Sequence, residues 1–213
     1  MAIEVLSPSQ VRINGYFVEL FDNREPDMLD IQTELANKSL RQEPRMPLQD
    51  QIFSLDSVPG LVGFDPVFAA YQQIPRFVDL ARRSADEAAV SYRNFKVGAS
   101  ACAIDDKTSR IGYFFGANYK PSPNSDKYCA ELDIVRKVRS VGFNKIIALT
   151  IFGPSEFADV DIFPSPTLHP CVVCRKMLGG DSLFADNPLV ITTNREGDME
   201  TFLTDQLISL HMK

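Results

Sequence analysis

The sequence holds no apolar run near the roughly 20 residues that a membrane-spanning helix needs, and its opening Met1-Ala2-Ile3-Glu4-Val5 has neither a basic start nor an apolar signal core. Both absences predict a cytoplasmic protein with no membrane partner. Basic charge is in deficit: 22 Lys and Arg stand against 28 Asp and Glu, for a formal net charge of -6. Binding along a nucleic-acid backbone is driven by clustered cations that displace counterions, so this balance speaks against a nucleic-acid partner and for a small molecule. Cysteine is scarce, with Cys102, Cys129, Cys171 and Cys174 the four that occur, the last two set in a Cys-x-x-Cys. In a chain without a secretion signal this pattern predicts reduced thiols or metal ligands ahead of a disulfide framework. Internal repeats and low-complexity tracts are absent, and 213 residues leave room for one domain plus an extension.

What is present falls into two parts. Residues 1–75 predict an N-terminal extension without a chemical motif. Val11-Arg12-Ile13 and Tyr16-Phe17-Val18 flank Asn14-Gly15, whose tolerance of positive φ suits a two-residue hairpin turn. A polar helix-like stretch near 28–40 follows, then prolines at 44, 47, 59, 66 and 75 that predict an extended, Pro-rich arm. From residue 76 to 213 the pattern is regular and predicts the main domain. A core-facing helix is expected over 76–90, then an antiparallel pair of strands over 95–104 and 110–118 joined by Asp105-Asp106-Lys107-Thr108. Gly98 and Gly112 mark close backbone approach. A helix over 128–141 stopped by Gly142, a strand over 146–152, a helix opening at Pro170-Cys171, a strand over 189–193 and a last helix near 199–210 complete the reading. Apolar strands alternating with helices imply an α/β sheet covered on both faces.

Cys129-Ala130-Glu131 opens one expected helix and Pro170-Cys171-Val172-Val173-Cys174 another. A Cys-x-x-Cys at a helix start sets two sulfurs on one turn, where the positive end of the helix dipole favours the thiolates that zinc requires. With Cys129 as a third ligand, the fourth tetrahedral position stays open for water, the arrangement of a catalytic zinc site. A Cys-x-Glu paired with a Pro-Cys-x-x-Cys is a signature of zinc deaminases, in which the Glu moves protons and is not a ligand.

On these residues the chain resembles the three-cysteine type of the cytidine deaminase family. Ser91-Tyr92-Arg93-Asn94-Phe95-Lys96-Val97-Gly98-Ala99 is similar to the family segment after its first helix, Gly116-Ala117-Asn118 to the strand end that meets the ribose, and Cys174-Arg175 to the Arg that follows the last ligand. The resemblance runs from about residue 76 to 195 and leaves the extension uncovered. It implies a three-layer α/β/α sandwich with a mixed five-stranded sheet, Zn²⁺ held by Cys129, Cys171 and Cys174, and Glu131 as the catalytic proton carrier. It also implies hydrolytic deamination of a cytosine nucleoside or close analogue, in a homodimer or homotetramer, with deamination of another aminated base, nucleotide or nucleoside antibiotic, or a non-catalytic zinc-bearing binding subunit, as the alternatives. Phe95, Asn118, Lys120 and Ala130 would face the substrate, and Arg175 would offset the charge of the sulfurs.

Three features depart from the family pattern. Leu132 stands where Arg commonly follows the Cys-Ala-Glu, which leaves Arg175, the helix-start amides or Arg136 to neutralise three thiolates. Lys120 stands where a Glu commonly grips the sugar, which points to an anionic or modified sugar part. The stretch between Glu131 and Cys171 is long and carries a Pro-rich loop, 154–166. Plainer readings stand beside the chemical ones. Cys102 as fourth ligand would close the zinc site, although its Ala101-Cys102-Ala103 setting suits a core thiol. Glu131 would serve a helix dipole, Phe95 a core, Asn118 a turn and Lys120 a solvated surface. His169, just before the Cys pair, reads as a donor to the site or as a loop residue.

Overall fold

The computed structural model describes residues 3–7, 10–13, 16–19, 48–54, 73–154 and 166–210. The Asn14-Gly15 turn itself, the helix-like 28–40 stretch, most of the 154–166 loop and His211 lie outside the described residues. The chain forms two compact units, Met1–Arg45 and Met46–Lys213. In the first, β1 (Ile3–Ser7), β2 (Gln10–Ile13) and β3 (Tyr16–Glu19) make an antiparallel sheet in that order. Ile13 lies opposite Tyr16, so β2 and β3 form the expected hairpin with a two-residue link.

The second unit is built on a mixed sheet of six strands. These are β4 (Gln51–Ser54), β6 (Gly98–Asp105), β7 (Arg110–Ala117), β9 (Lys145–Phe152), β10 (Leu189–Thr193) and β11 (Met199–Leu203), in the order β11-β10-β9-β6-β7-β4. Within this sheet β9 and β10 pair in parallel and the other neighbours antiparallel. The minor strands β5 (Val90–Ser91) and β8 (Tyr119–Lys120) pair with each other. Five main strands were expected, and the sixth corrects that number. β4 comes from the Pro-rich stretch and covers the outer edge of β7, with Phe53 packed on Tyr113 at 5.9 Å between ring centroids.

Among the described residues four α-helices cover the two faces: α1 (Ile74–Arg83), α2 (Ala130–Ser140), α3 (Val172–Gly180) and α4 (Thr204–Leu210). Ile134 and Val138 of α2, Leu178 of α3 and Leu207 of α4 share one core with Ala99, Ala101 and Ala103 of β6. Ala81 of α1 and Ala85 just beyond it pack with Phe152 of β9 in a separate cluster. Ile151 belongs to the first core and Phe152 to the second, so the alternation of one strand divides the layers. The result is a three-layer α/β/α sandwich. Among the described residues no helix is long and apolar enough to cross a membrane.

Two helix expectations are corrected by tertiary contacts. The helix expected over 76–90 ends at Arg83, widens into a π-turn at Ser84–Ala88 and leaves as β5. Here the buried Ser84 hydroxyl donates to the Gly116 carbonyl at 2.5 Å and the Val90 amide to the Asn118 carbonyl at 3.1 Å, and these long-range bonds outweigh the helix propensity of the alanines. The helix expected over 199–210 begins only at Thr204, because residues 199–203 pair with β10 as an edge strand. Thr204 fixes the switch: its amide and hydroxyl both donate to the Pro188 carbonyl, at 3.1 and 3.0 Å.

Gly98 supports the expectation of close approach. A Cβ there would lie 2.0 Å from the Ala81 carbonyl oxygen and 2.4 Å from the Ala85 amide nitrogen, both backbone atoms that cannot yield. Gly98→Ala should therefore push α1 off the sheet and lower stability by about 3 kcal/mol, read as a shift of the denaturant midpoint.

Candidate functional site

Both sulfur-bearing segments are positioned by backbone contacts. Tyr119 and Tyr128 exchange two amide-to-carbonyl hydrogen bonds of 3.0 Å, which closes the 120–127 loop and delivers Cys129 to the position preceding α2. The first turn of α2 lies directly on β7, since a Cβ at Gly116 would stand 2.5 Å from the Ala130 carbonyl oxygen. Cys171 precedes α3 in the same way, and Cys174 follows within the first turn, fully buried.

The Cys129, Cys171 and Cys174 sulfurs all lie within 4.8 Å of one another, with Cys129 Sγ and Cys171 Sγ 3.7 Å apart. Zinc–sulfur bonds of about 2.3 Å at tetrahedral angles span a sulfur–sulfur edge of about 3.8 Å. The trio therefore fits Zn²⁺. Hydrogen bonding from Cys129, then from Cys174, holds the Cys171 thiol far below the usual thiol range. The same sharing pushes Cys129 up to about 12 and Cys174 up as well. Three thiols this close compete for protons, and a divalent cation would complete the set by displacing them. Cys102 is not part of it. It is buried in the middle of β6 on the face opposite Ala101 and Ala103, and burial pushes its thiol up. The closed four-cysteine site is excluded by that placement.

Beside the sulfurs opens a cavity of about 210 Å³. Phe95, Val97 and Leu168 supply its apolar wall, while Cys129, Ala130, Glu131 and Cys171 supply the metal side. Glu131 is 4% exposed, and burial pushes its carboxyl above the ordinary range. A carboxyl in that state accepts and returns protons near neutral pH more readily than a solvated one. Asn118, 5% exposed, also lines the cavity. Its Oδ1 accepts from the Val97 amide at 2.9 Å and its Nδ2 donates to the Phe95 carbonyl at 2.7 Å, so it fixes the segment that carries the Phe95 ring. One N–H and one lone pair of the amide remain for a ligand.

The cations divide. Arg175 lines the cavity and donates to the Pro170 carbonyl at 2.7 Å, bracing the turn that leads into Cys171. Arg136 stacks on Tyr128 at 4.5 Å and does not line the cavity. Lys120 does not line it either, its ammonium standing 5.6 Å above the Tyr92 ring centroid.

Sequence reasoning missed Val97, Lys127 and Leu168 on the cavity wall. No spacing marks them, because each is an ordinary loop or strand-flank residue until the chain folds. It named His169 without seeing what holds it. His169 is buried, lines the cavity, places Nε2 3.2 Å from Glu200 Oε2 and meets Phe202 edge to face at 5.2 Å. Glu200 also accepts from the Thr167 hydroxyl, which in turn lies 2.6 Å from that of Thr192. Glu200 and Phe202 belong to β11, the strand that the sequence pattern presented as helix.

Comparison with solved structures finds cytidine deaminase from Burkholderia pseudomallei at 22% identity and TM-score 0.48, covering 62% of this chain and 93% of that one. Cytidine deaminase from Mycobacterium tuberculosis is 25% identical with TM-score 0.38, over 52% of this chain and 76% of that one. The Mycobacterium leprae enzyme is 18% identical with TM-score 0.42, over 62% and 93%. No curated protein matches the chain. The model of the cytidine and deoxycytidylate deaminase zinc-binding region matches residues 71–180, a little over half of the 213 residues, and takes in all three clustered cysteines and Glu131. The chain belongs to the cytidine and deoxycytidylate deaminase zinc-binding family.

Proposed function

We propose that the protein hydrolyses the exocyclic amine of a cytosine nucleoside or close analogue, consuming water and releasing ammonia. The observation that carries this reading is the buried carboxyl of Glu131, two residues after Cys129 and on the wall of the same cavity as the sulfur trio. Cys129, Cys171 and Cys174 would hold zinc, which would supply Lewis-acid activation of water. Glu131 takes a proton from the attacking water, delivers it to the ring nitrogen and then helps ammonia leave. Phe95 stacks on the base, and Asn118 and the backbone at Ala130 orient the sugar and amine ends. Arg175 steadies the Cys171 turn and offsets part of the thiolate charge, a task that falls to it because Leu132 brings none.

The same reading takes residues 76–213 as the catalytic domain and 1–75 as an extension, of which β4 completes the sheet. It takes the working form as a cytoplasmic homodimer or homotetramer, in keeping with four free cysteines in a reducing compartment. A zinc-bearing relative without turnover would have no use for a buried carboxyl at Glu131.

The test is ammonia release from zinc-loaded protein against a panel of cytosine, adenine and guanine nucleosides, nucleotides and nucleoside antibiotics. Turnover confined to cytosine compounds is the expected result. Turnover only on purines, or on none of the panel, overturns the assignment.

A further inference from the structure

Building on the deaminase reading above, we propose that Lys127 is a specificity-determining residue that pairs with an anionic substituent, a phosphate or a carboxylate, on the non-reacting part of the substrate. The chain as a whole is acidic, at -6, yet the Lys and Arg residues on the cavity wall are Lys127 and Arg175. Arg175 already holds the Pro170 carbonyl. Lys127 is exposed and no hydrogen bond holds its ammonium among the described residues; its charge is felt by Glu131 across the cavity, where it opposes the effect of burial. Nearby lysines differ in this respect. Lys96 donates to the Asp86 carbonyl at 3.2 Å, Lys120 sits over Tyr92, and Lys137 pairs with Asp133 at 3.3 Å and the Phe115 carbonyl at 2.7 Å.

The position sorts the two ends of a ligand. Glu131 and the sulfurs mark the buried end, where the amine reacts, and exposed Lys127 marks the mouth, where a substituent projects. With zinc bound the three thiolates would keep a net charge of -1, and together with the Glu131 carboxylate this would repel an anionic substrate through a poorly screened medium. A neutral nucleoside needs no counterweight, whereas an anionic one needs a cation free to meet it. Lys127 is that cation, and the structure thereby shifts the anion-reading role from Lys120 to a residue on the cavity itself.

The experiment is calorimetric binding of cytidine, cytidine 5′-monophosphate and cytidine 5′-carboxylate to the full, zinc-loaded chain, with ammonia release measured in parallel. Both anions should bind about tenfold tighter than cytidine, as a charge-assisted hydrogen bond at a solvated mouth allows. Lys127→Ala should erase that ratio and Lys127→Glu invert it, while Lys107→Ala on the remote β6–β7 turn leaves it unchanged. The ratio should shrink as salt rises from about 0.01 to 0.15 M. Preference for the phosphate alone, or for both anions, supports the proposal and tells which charge is read. Equal binding of all three ligands, absent binding of both anions, or a ratio indifferent to Lys127 overturns it. Anion-selective binding without ammonia release from any of the three would sink the deaminase reading and leave the Lys127 assignment standing.

Discussion

Glu131→Gln should lower turnover about 10⁴-fold while zinc stays bound, because the amide keeps the shape of the carboxyl but cannot carry a proton between water and ring nitrogen. The loss should fall on kcat, since Glu131 is a proton carrier and the three sulfurs that fit zinc are untouched. Stability supplies the control that separates chemistry from unfolding. Burial raises the Glu131 carboxyl in the folded chain, so an ionised Glu131 works against folding above its folded pKa, and that penalty vanishes below the ordinary carboxylate range. Glutamine removes the penalty. In metal-free protein at pH 7 the Tm of Glu131→Gln should equal or exceed the parent's, with the two converging toward pH 4. Retained turnover in the variant would refute the role of Glu131, and a lowered Tm would show that the carboxyl serves packing instead.

Cys174→Ser should lower zinc affinity more than about 100-fold, beyond the loss seen when only an outer partner of a metal ligand is removed. Cys174 is the fully buried sulfur of the trio, and Cys129, Cys171 and Cys174 form the one clustered set of possible metal ligands among the described residues. Activity should fall with zinc content, measured by competition with a chromophoric chelator. Zinc binds only the folded arrangement, so at about a thousandfold excess over its Kd it adds about 4 kcal/mol of stability. Chelation should therefore lower the Tm of the parent and lower that of Cys174→Ser much less, because a 100-fold weaker site keeps only about 1.4 kcal/mol at the same zinc concentration. Parent affinity should rise with pH, because Cys129, pushed up to about 12 by its hydrogen bond with Cys171, must lose its proton to become a ligand. Cys102→Ser, on the opposite face of β6, should keep full zinc stoichiometry. Zinc loss there would reopen the four-cysteine site.

Much of the zinc chemistry was legible from residues 129–131 and 170–175 alone, because thiolate ligation at helix starts obeys local rules: spacing sets which side chains share a turn, and the helix dipole sets their charge. The hairpin around residue 14, the β6–β7 pair, the Gly142 stop and the strand at 189–193 were legible for the same reason, each being decided by periodicity or turn chemistry within a few residues. Gly142 adopts φ +81°, which the residue after a helix demands and a glycine supplies without strain.

Tertiary structure decided whatever depends on a distant partner. Residues 84–88 leave the α-helix because Ser84 reaches Gly116, and 199–203 become strand because β10 offers an unpaired edge. Gln51–Ser54 joins the sheet because β7 offers the other edge. Gly116 and β7 lie far along the chain from the segments they capture, and although β10 stands only five residues before β11, the apolar spacing of 199–210 also suits a helix; a weak intrinsic preference yields to backbone hydrogen bonding wherever an open edge is present. The cavity follows the same logic. Cys129 and Cys171 were recognisable as ligands from sequence, but the 3.7 Å between their sulfurs exists only because α2 and α3 start at the same side of the sheet. Lys127, Leu168 and the Glu200–His169 pair owe their places to that convergence, since a wall built from four separate segments has no signature in any one of them.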